Sequence, residues 1–521
     1  MSEGKTVRSL RVGAARTVPR IVFGLALCLG GCAAGPNYRM PKPDAPPAFA
    51  VITAVGSAAT ATPAAAPDLA VWWHALNDPE LDSLVERAIK SNPDLEIALT
   101  RLQQARTYEA VVLGHALPEV DASAAEARGT GTDLSRGRAE SGLVSADNRS
   151  GLQHINTLAG FDAVWELDLF GKYRREVEAA HYDMQAAAAA RNAVITSLIA
   201  DVVRAYIDLR GFQVQAGILR SAGDVLRESL RIVNIRYERG ITNELDVALA
   251  TRELDTLQAQ IAPLDAQVNA VQYTLAVLLG EYPENMVHEL SNPNLIPSMP
   301  APVAAGVPLD LLKRRPDIQQ AERELAGATA RIGVATADLF PQVALVGAIG
   351  SQGQFGTGPR LSSHIWSFGP AAVWPLLDFG ALDAKVDITQ LAAHASLVNY
   401  RKTILDAVQQ VDTALESYTA QQDRLKNLGD AMIAGQRAVD LATARYNRGL
   451  TDFLNVVDAE RQFYDLQEQY ASAQVAQGEQ FVQLYKSLGG GWQGYQDVPP
   501  IRRPQPAIIA AFRRTLQSSA P

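Results

Sequence analysis

The residue in this chain best suited to forming a covalent bond is Cys32, which follows Leu29-Gly30-Gly31. A cysteine thiolate is a strong nucleophile, and small residues before it leave the adjoining peptide bond open to a peptidase. A second suggestive group lies in the stretch FDAVWELDL. Asp162, Glu166 and Asp168 recur at even positions, with Val164 among them, against Phe161, Ala163, Trp165, Leu167 and Leu169 at odd ones. In an extended chain such alternation puts carboxylates on one face and apolar groups on the other. Machinery for turnover is missing. There is no H-E-x-x-H, no G-x-S-x-G and no Cys/His cluster, and the seven histidines are scattered. The glycine spacing in GSQGQFGTGPR lacks the Lys-Ser/Thr and the helix that a phosphate cradle needs. The chemistry to expect is modification at Cys32 and the electrostatics of a carboxylate-lined surface. No enzyme, metal site or dissociable cofactor is expected.

The start of the chain explains Cys32. Lys5, Arg8, Arg11, Arg16 and Arg20 precede the short apolar run Ile21 to Leu29, the pattern of an export signal. That run is far below the roughly 20 residues of a membrane-spanning helix. LGGC resembles the lipobox of bacterial lipoproteins, which implies a diacylglyceryl group and an N-acyl chain on Cys32. Ala33 follows, and the sorting rule of such lipoproteins then points to the outer membrane. Cys28 leaves with the signal, so no disulfide is expected. Loss of five positive charges and Glu3 takes the net charge from −9 to −13, which excludes nucleic acid as a partner. No further apolar run is long enough for a transmembrane helix.

These residues are positioned by a duplicated chain. RYERGITNELDVALATRELDTLQAQ from Arg236 and RYNRGLTDFLNVVDAERQFYDLQEQ from Arg445 share 12 of 25 positions, 209 residues apart. NPDLEIALTRLQQA and RPDIQQAERELAGA match at offset 223, which also relates Pro118 to Pro341. VWELDLFG from Val164 and VWPLLDFG from Val373 return to offset 209. Each copy reads as helix, strand pair and two long helices. From Lys172 the helical pattern is unbroken to Arg239, and at 1.5 Å per residue it spans roughly 100 Å. Its apolar seam alternates by three and four, from Ile195, Leu198 and Val202 to Val233 and Tyr237, as in coiled-coil packing. A second stripe (Val194, Ile207, Ile218, Val225, Ile232) implies two neighbours and a place in a wall. Gly240 and Gly449 close the hairpin tips.

The expected organisation is a signal at 1–31, an extended Pro/Ala-rich strap at 32–70 and a first repeat at 71–290. Its strands fall near 118–169 and its hairpin near 172–280. A second repeat at 291–492 has strands near 341–379 and a hairpin near 382–489, before a poorly ordered tail at 493–521. Pro375 breaks the second strand where Glu166 stood, and the stretch after Arg128, like GSQGQFGTGPR, reads as an exposed loop. A strand with one apolar and one acidic face suits a membrane barrel, lipid outside and water within. Four strands cannot close, and an open edge in lipid leaves backbone groups unpaired. Several copies must therefore share one wall; two would give eight strands and three would give twelve.

Taken together, the repeats, the RYERG and RYNRG tips, VWELDLFG and the terminal YKSLGGGW resemble TolC-like outer-membrane efflux proteins. The start CAAGPNYRMPKP with WWHALNDPELDSLVERAIKSNPDL is similar to their lipoprotein branch, which pairs with RND-type pumps. The resemblance covers about Cys32 to Trp492. It implies a mainly α protein with a membrane β-barrel: a homotrimer with a 12-stranded barrel continuous with a coiled-coil-like tunnel. It also implies a periplasmic adaptor and an inner-membrane pump as partners, lipid-anchored residence in the outer membrane, and passive export of small molecules. Lumen-facing barrel residues would be Asp162, Glu166 and Asp168. By position, the gate maps to Leu454, Asp458 and Tyr446. The first half supplies Leu245 and Leu249 at the aligned positions. Adaptor contacts map to Gly240, Ile241 and Thr242 and to Gly449, Leu450 and Thr451, although some members carry arginine where this chain has Thr451. A type I secretion channel is the nearest alternative but usually lacks the lipobox. A periplasmic adaptor, with one hairpin between soluble β-domains, is the next.

Overall fold

The computed structural model describes residues 33–42, 49, 68–129, 154–300, 308–356 and 361–495. Cys32, the signal, most of the strap, the first strand-joining loop and the chain beyond 495 lie outside the described residues. Two compact units are present, and each repeat contributes to both. Of the described residues, one comprises 33–41, 105–129, 154–184, 323–356 and 361–398; the other comprises 42, 49, 68–104, 185–300, 308–322 and 399–495.

After a 3-10 segment, Leu69–Leu76, the first repeat contains α1 (Pro79–Ser91), α2 (Pro93–His115), β1 (Glu119–Gly129) and β2 (His154–Leu167). It continues with α3 (Lys172–Glu238), α4 (Glu244–Leu278) and α5 (Pro283–Glu289). The second repeat contains α6 (Pro308–Arg314), α7 (Pro316–Ala337), β3 (Gln342–Gly356), β4 (Leu361–Val373), α8 (Ala381–Asn447) and α9 (Phe453–Ser487). The duplication is kept to the residue. Helices α3 and α8 are both 67 residues long, and α4 and α9 are both 35.

Local chemistry sets these boundaries. Asp78 caps α1, accepting from the Glu80 amide at 3.0 Å, with Pro79 in the first turn. Asn243 caps α4 by accepting from the Asp246 amide. Helix α3 ends where Gly240 turns to φ +68°; its amide reaches Tyr237 O, and Ile241 N reaches Arg236 O. Gly449, at φ +72°, repeats the pattern: its amide reaches Tyr446 O, and Leu450 N reaches Arg445 O. A side chain in that left-handed turn would cost about 1–2 kcal/mol.

The second unit holds the larger core. Trp72 stacks on Tyr485 at 5.1 Å and meets Phe481 edge-on at 5.8 Å. Around them are buried Ile195, Ile199, Val202 and Leu209 of α3. Buried Tyr206 donates to Asp78 at 2.6 Å. Buried Arg210 pairs with Glu80 and donates to Asn292 O at 2.9 Å and Gln213 at 2.7 Å, so its charge is not left bare. This two-sided burial makes α3 apolar enough, by composition, to cross a membrane, although no such helix is expected from the sequence. Its most apolar window is 61% buried within the protein.

The first unit contains one antiparallel sheet in the order β1-β2-β3-β4. Asp121 pairs with Asp162 in the first hairpin and Ala344 with Ala371 in the second. The repeat offsets carry one pair onto the other, so both hairpins have the same register. Three expectations need correction. Strand β3 runs to Gly356, so all of GSQGQFG is strand, paired with β2 from His154. Its glycines conceal this because they have no face to alternate. Gly350 lies opposite Gly160, and a Cβ on either would fall within 3 Å of the other strand's backbone. Pro375 lies beyond the end of β4 and breaks no ladder. Asp168 lies past β2 and belongs to no strand.

Candidate functional site: the acidic sheet face and the hairpin tips

Pairing across all four strands fixes what each face presents. One row runs Asp121, Asp162, Ala348, Ser367, and the same face carries Glu119, Val164 and Glu166. The other face carries Val120, Phe161, Trp165, Ile349, Trp366 and Phe368. Trp366 is 78% and Phe368 76% exposed. Large aromatics at such exposure on a soluble surface would be costly; against lipid they are in their preferred solvent. The second hairpin thus supplies the outward aromatics that its sequence shows only weakly. Among the described residues, both outer strands, β1 and β4, have one unpaired edge.

The three expected lumen carboxylates separate. Asp162 sits on the acidic face. Glu166 shares it, accepting from the Tyr173 hydroxyl at 2.9 Å. Asp168 instead caps α3. It accepts from the Tyr173 amide at 3.2 Å, the Arg174 amide at 3.1 Å and Arg174 Nε at 3.0 Å. The free amides of a helix start, with their positive end of the dipole, hold it there. Glu119 and Asp121 take up the acidic face where sequence alternation was too weak to show it.

The sheet is pinned to its helices twice in the same way. Trp165 Nε1 donates to Ala116 O, and Trp374 Nε1 to Leu339 O, both at 3.1 Å. Phe170 stacks on Phe340 at 4.7 Å. Asp338 pairs with Lys172 at 2.9 Å and Lys385 at 2.6 Å. Burial pushes its carboxyl up, but the two lysines outweigh this and hold it below the ordinary range. No sequence signal marks this clamp. The residues just after Cys32 dock at the β2–α3 junction. Ala34 N donates to Phe170 O at 2.9 Å, and buried Arg175 binds Ala34 O at 3.0 Å and Asn37 at 2.6 Å. Gly35, at φ +81°, lies so close that a Cβ would fall 2.5 Å from Gly333 Cα.

At the tips, Ile241 and Leu450 are exposed, as is Leu245. Thr242 bonds Asp246, whereas the Thr451 hydroxyl has no partner among the described residues. Leu454 and Asp458 are one turn apart on an exposed face of α9. Asp458 accepts from Gln462 at 2.7 Å and Arg461 at 3.2 Å. Tyr446 does not join them. It is buried with Val233, Ala250, Phe453 and Val457, under the Arg236 guanidinium at 4.4 Å. Burial raises its hydroxyl, with Arg236 opposing. Tyr446 ties the two hairpins together. It does not line the face that Leu454 and Asp458 share.

The outer membrane efflux protein family model matches residues 84–281 and 307–490, and the chain belongs to that family. It is 29% identical to nodulation protein T of Rhizobium leguminosarum bv. trifolii over 90% of this chain and 96% of that protein. The pyoverdine export outer membrane protein OpmQ of Pseudomonas aeruginosa is 30% identical, over 91% of this chain and 96% of its own length. Among solved structures, the outer-membrane channel OprN superposes with TM-score 0.78 at 34% identity, covering 89% of this chain and all of that one. The open-state MtrE channel of Neisseria gonorrhoeae gives 0.73 at 26%, covering 90% and 100%. The protein is therefore an outer-membrane efflux duct, mainly α with a barrel-forming sheet.

Proposed function

We propose that three copies close a 12-stranded barrel through which small molecules leave passively, without covalent chemistry, with a periplasmic adaptor docked at the hairpin tips and energy supplied by an inner-membrane pump. The observation that carries this reading is the sheet: acidic on one face, aromatic on the other, open at both edges. Unpaired strand edges in lipid cost several kcal/mol per group, and pairing β4 with β1 of the next copy removes them. The duplicated register says how. Shifting the β2–β3 pair Val164–Val346 by the two repeat offsets sets Val373 opposite Ser123 of the next copy. The same shift takes Asp162–Ala348 to Ala371–Ala125, and both of those lie on the acidic face, so the faces stay consistent around the wall.

Acylation at Cys32 adds a second membrane attachment, and docking of Ala34 to Asn37 beside Phe170 favours an anchor at the sheet's base. Leu454 and Asp458 form the constriction, and the acidic face favours cations. Planar-bilayer conductance tests the reading. Purified full-length protein should give cation-selective channels. Conductance should rise in Leu454→Ala and Asp458→Ala, each of which removes bulk or a charge ring. A preparation that stays silent even with both residues replaced contradicts the duct.

A further inference from the structure

Between the hairpin tip and the main core, α4 and α9 pack side by side. One apolar cluster below holds Ala250, Val456 and Val457; another above holds Leu254 and Leu257, with Tyr464 against it. Wedged between them, one turn from each, is Glu460. It is 5% exposed, its Oε2 has no hydrogen-bond partner, and no ion pair to it exists among the described residues. A buried carboxylate without a cation is among the most costly groups a fold can hold.

Its surroundings add no relief. The charged neighbour from α4 is Glu253, a like charge whose side chain is only 15% exposed and whose own contact is Arg252 at 3.5 Å. On α9 itself the titratable neighbour is Tyr464. On α3, Arg227 pairs with Asp224 and Arg231 with Glu228 at exposed positions. On α8, Asp440 is exposed and accepts from Gln436. Among the described residues no cation acts on Glu460, whose ionised form is opposed by burial and by Glu253, so in this packing a proton is what neutralises it.

We propose that Glu460, facing Glu253, is a proton-binding site that holds α4 against α9 when protonated and loosens that contact when ionised. Burial, then the Glu253 charge, raises the Glu460 carboxyl to about 7, close to ambient pH. The sign follows from linkage. The packed state binds the proton more tightly than the separated state. The contact is therefore fully stabilised below the ordinary carboxylate range and is lost as pH rises through about 7. The site carries one proton per chain. It borders the tip residues Val457 and Ala250, so its charge state biases how firmly the two hairpins are joined.

Hydrogen–deuterium exchange on the full-length protein, between pH 5.5 and 8.5 and corrected for intrinsic exchange, reads this contact directly, whether or not the assembly conducts. Protection over 250–257 and 456–464 should fall about tenfold between pH 6 and 8, as one group titrating near 7 dictates. Glu460→Gln, which mimics the protonated group, should flatten that dependence. Glu253→Gln should keep it and move its midpoint to lower pH. Protection that is flat in the wild type, or pH dependence that survives Glu460→Gln, overturns the proposal.

Discussion

The two repeats are alike in length, register and turn chemistry, yet they differ in how far their contacts are completed inside one chain. Strand β2 finds β3, whereas among the described residues β4 has no strand beyond it. Phe170 stacks on Phe340, whereas its counterpart Phe379 is 98% exposed and Leu117, the counterpart of Phe340, is 61% exposed. Arg236 covers Tyr446, whereas Arg445 and exposed Tyr237 stay apart. Ala179 near the start of α3 is buried, and its counterpart Ile388 on α8 is exposed beside Leu391. Each cross-repeat contact is thus made once and left open once. In the proposed assembly, a second copy placed by the repeat relation would complete the open set. The open surface is also the more apolar: Tyr108 and Ala392 stand where the closed one has Arg331 and Asp183. That is the character of an obligate interface.

The largest expected effect comes from charging the open surface. Ile388→Asp with Leu391→Asp should leave the helices folded by circular dichroism and abolish assembly in light scattering. Retained assembly would break the comparison. Next come the aromatic pairs. Phe340→Ala should destabilise the lone chain by about 2 kcal/mol, the stacked pair plus the part of the ring that is covered. Phe379→Ala should leave the lone chain unchanged and weaken the assembly by about 2 kcal/mol, a split that denaturation of each form would expose. Smaller again are the tips. Arg236→Ala should cost about 0.5–2 kcal/mol with or without assembly, whereas Arg445→Ala should register only in the assembled protein. Equal effects of the two arginines in a monomeric variant would show that the repeats are not related as argued.

Much of this architecture could be read from the residues. The helix lengths followed from the three-and-four seam and from Gly240 and Gly449, because period and turn chemistry are local. The acidic face followed from FDAVWEL for the same reason. The glycine-rich part of β3 did not, because glycine carries no facial pattern and only pairing with β2 reveals it. Asp168 looked like one more lumen carboxylate, since alternation cannot tell a strand's last residue from a helix cap. Tyr446 matched a gate position but is a core residue, since position along a helix does not show which face a partner hairpin covers. Glu460 carried no signal, because a glutamate in a long polar helix reads as solvated until the burial around it is seen.

The repeat relation is tested most directly at the open strand edges. With cysteines at Val373 and Ser123 in the otherwise intact protein, Cα atoms of directly opposed residues lie about 4.5–5.5 Å apart, within disulfide reach, whereas a partner two residues along is about 7–8 Å away. Oxidation in the membrane should join neighbouring chains through Val373→Cys and Ser123→Cys, and much less through Val373→Cys and Ala125→Cys. No inter-chain bond at the first pair, or a stronger one at the shifted pair, would contradict the account.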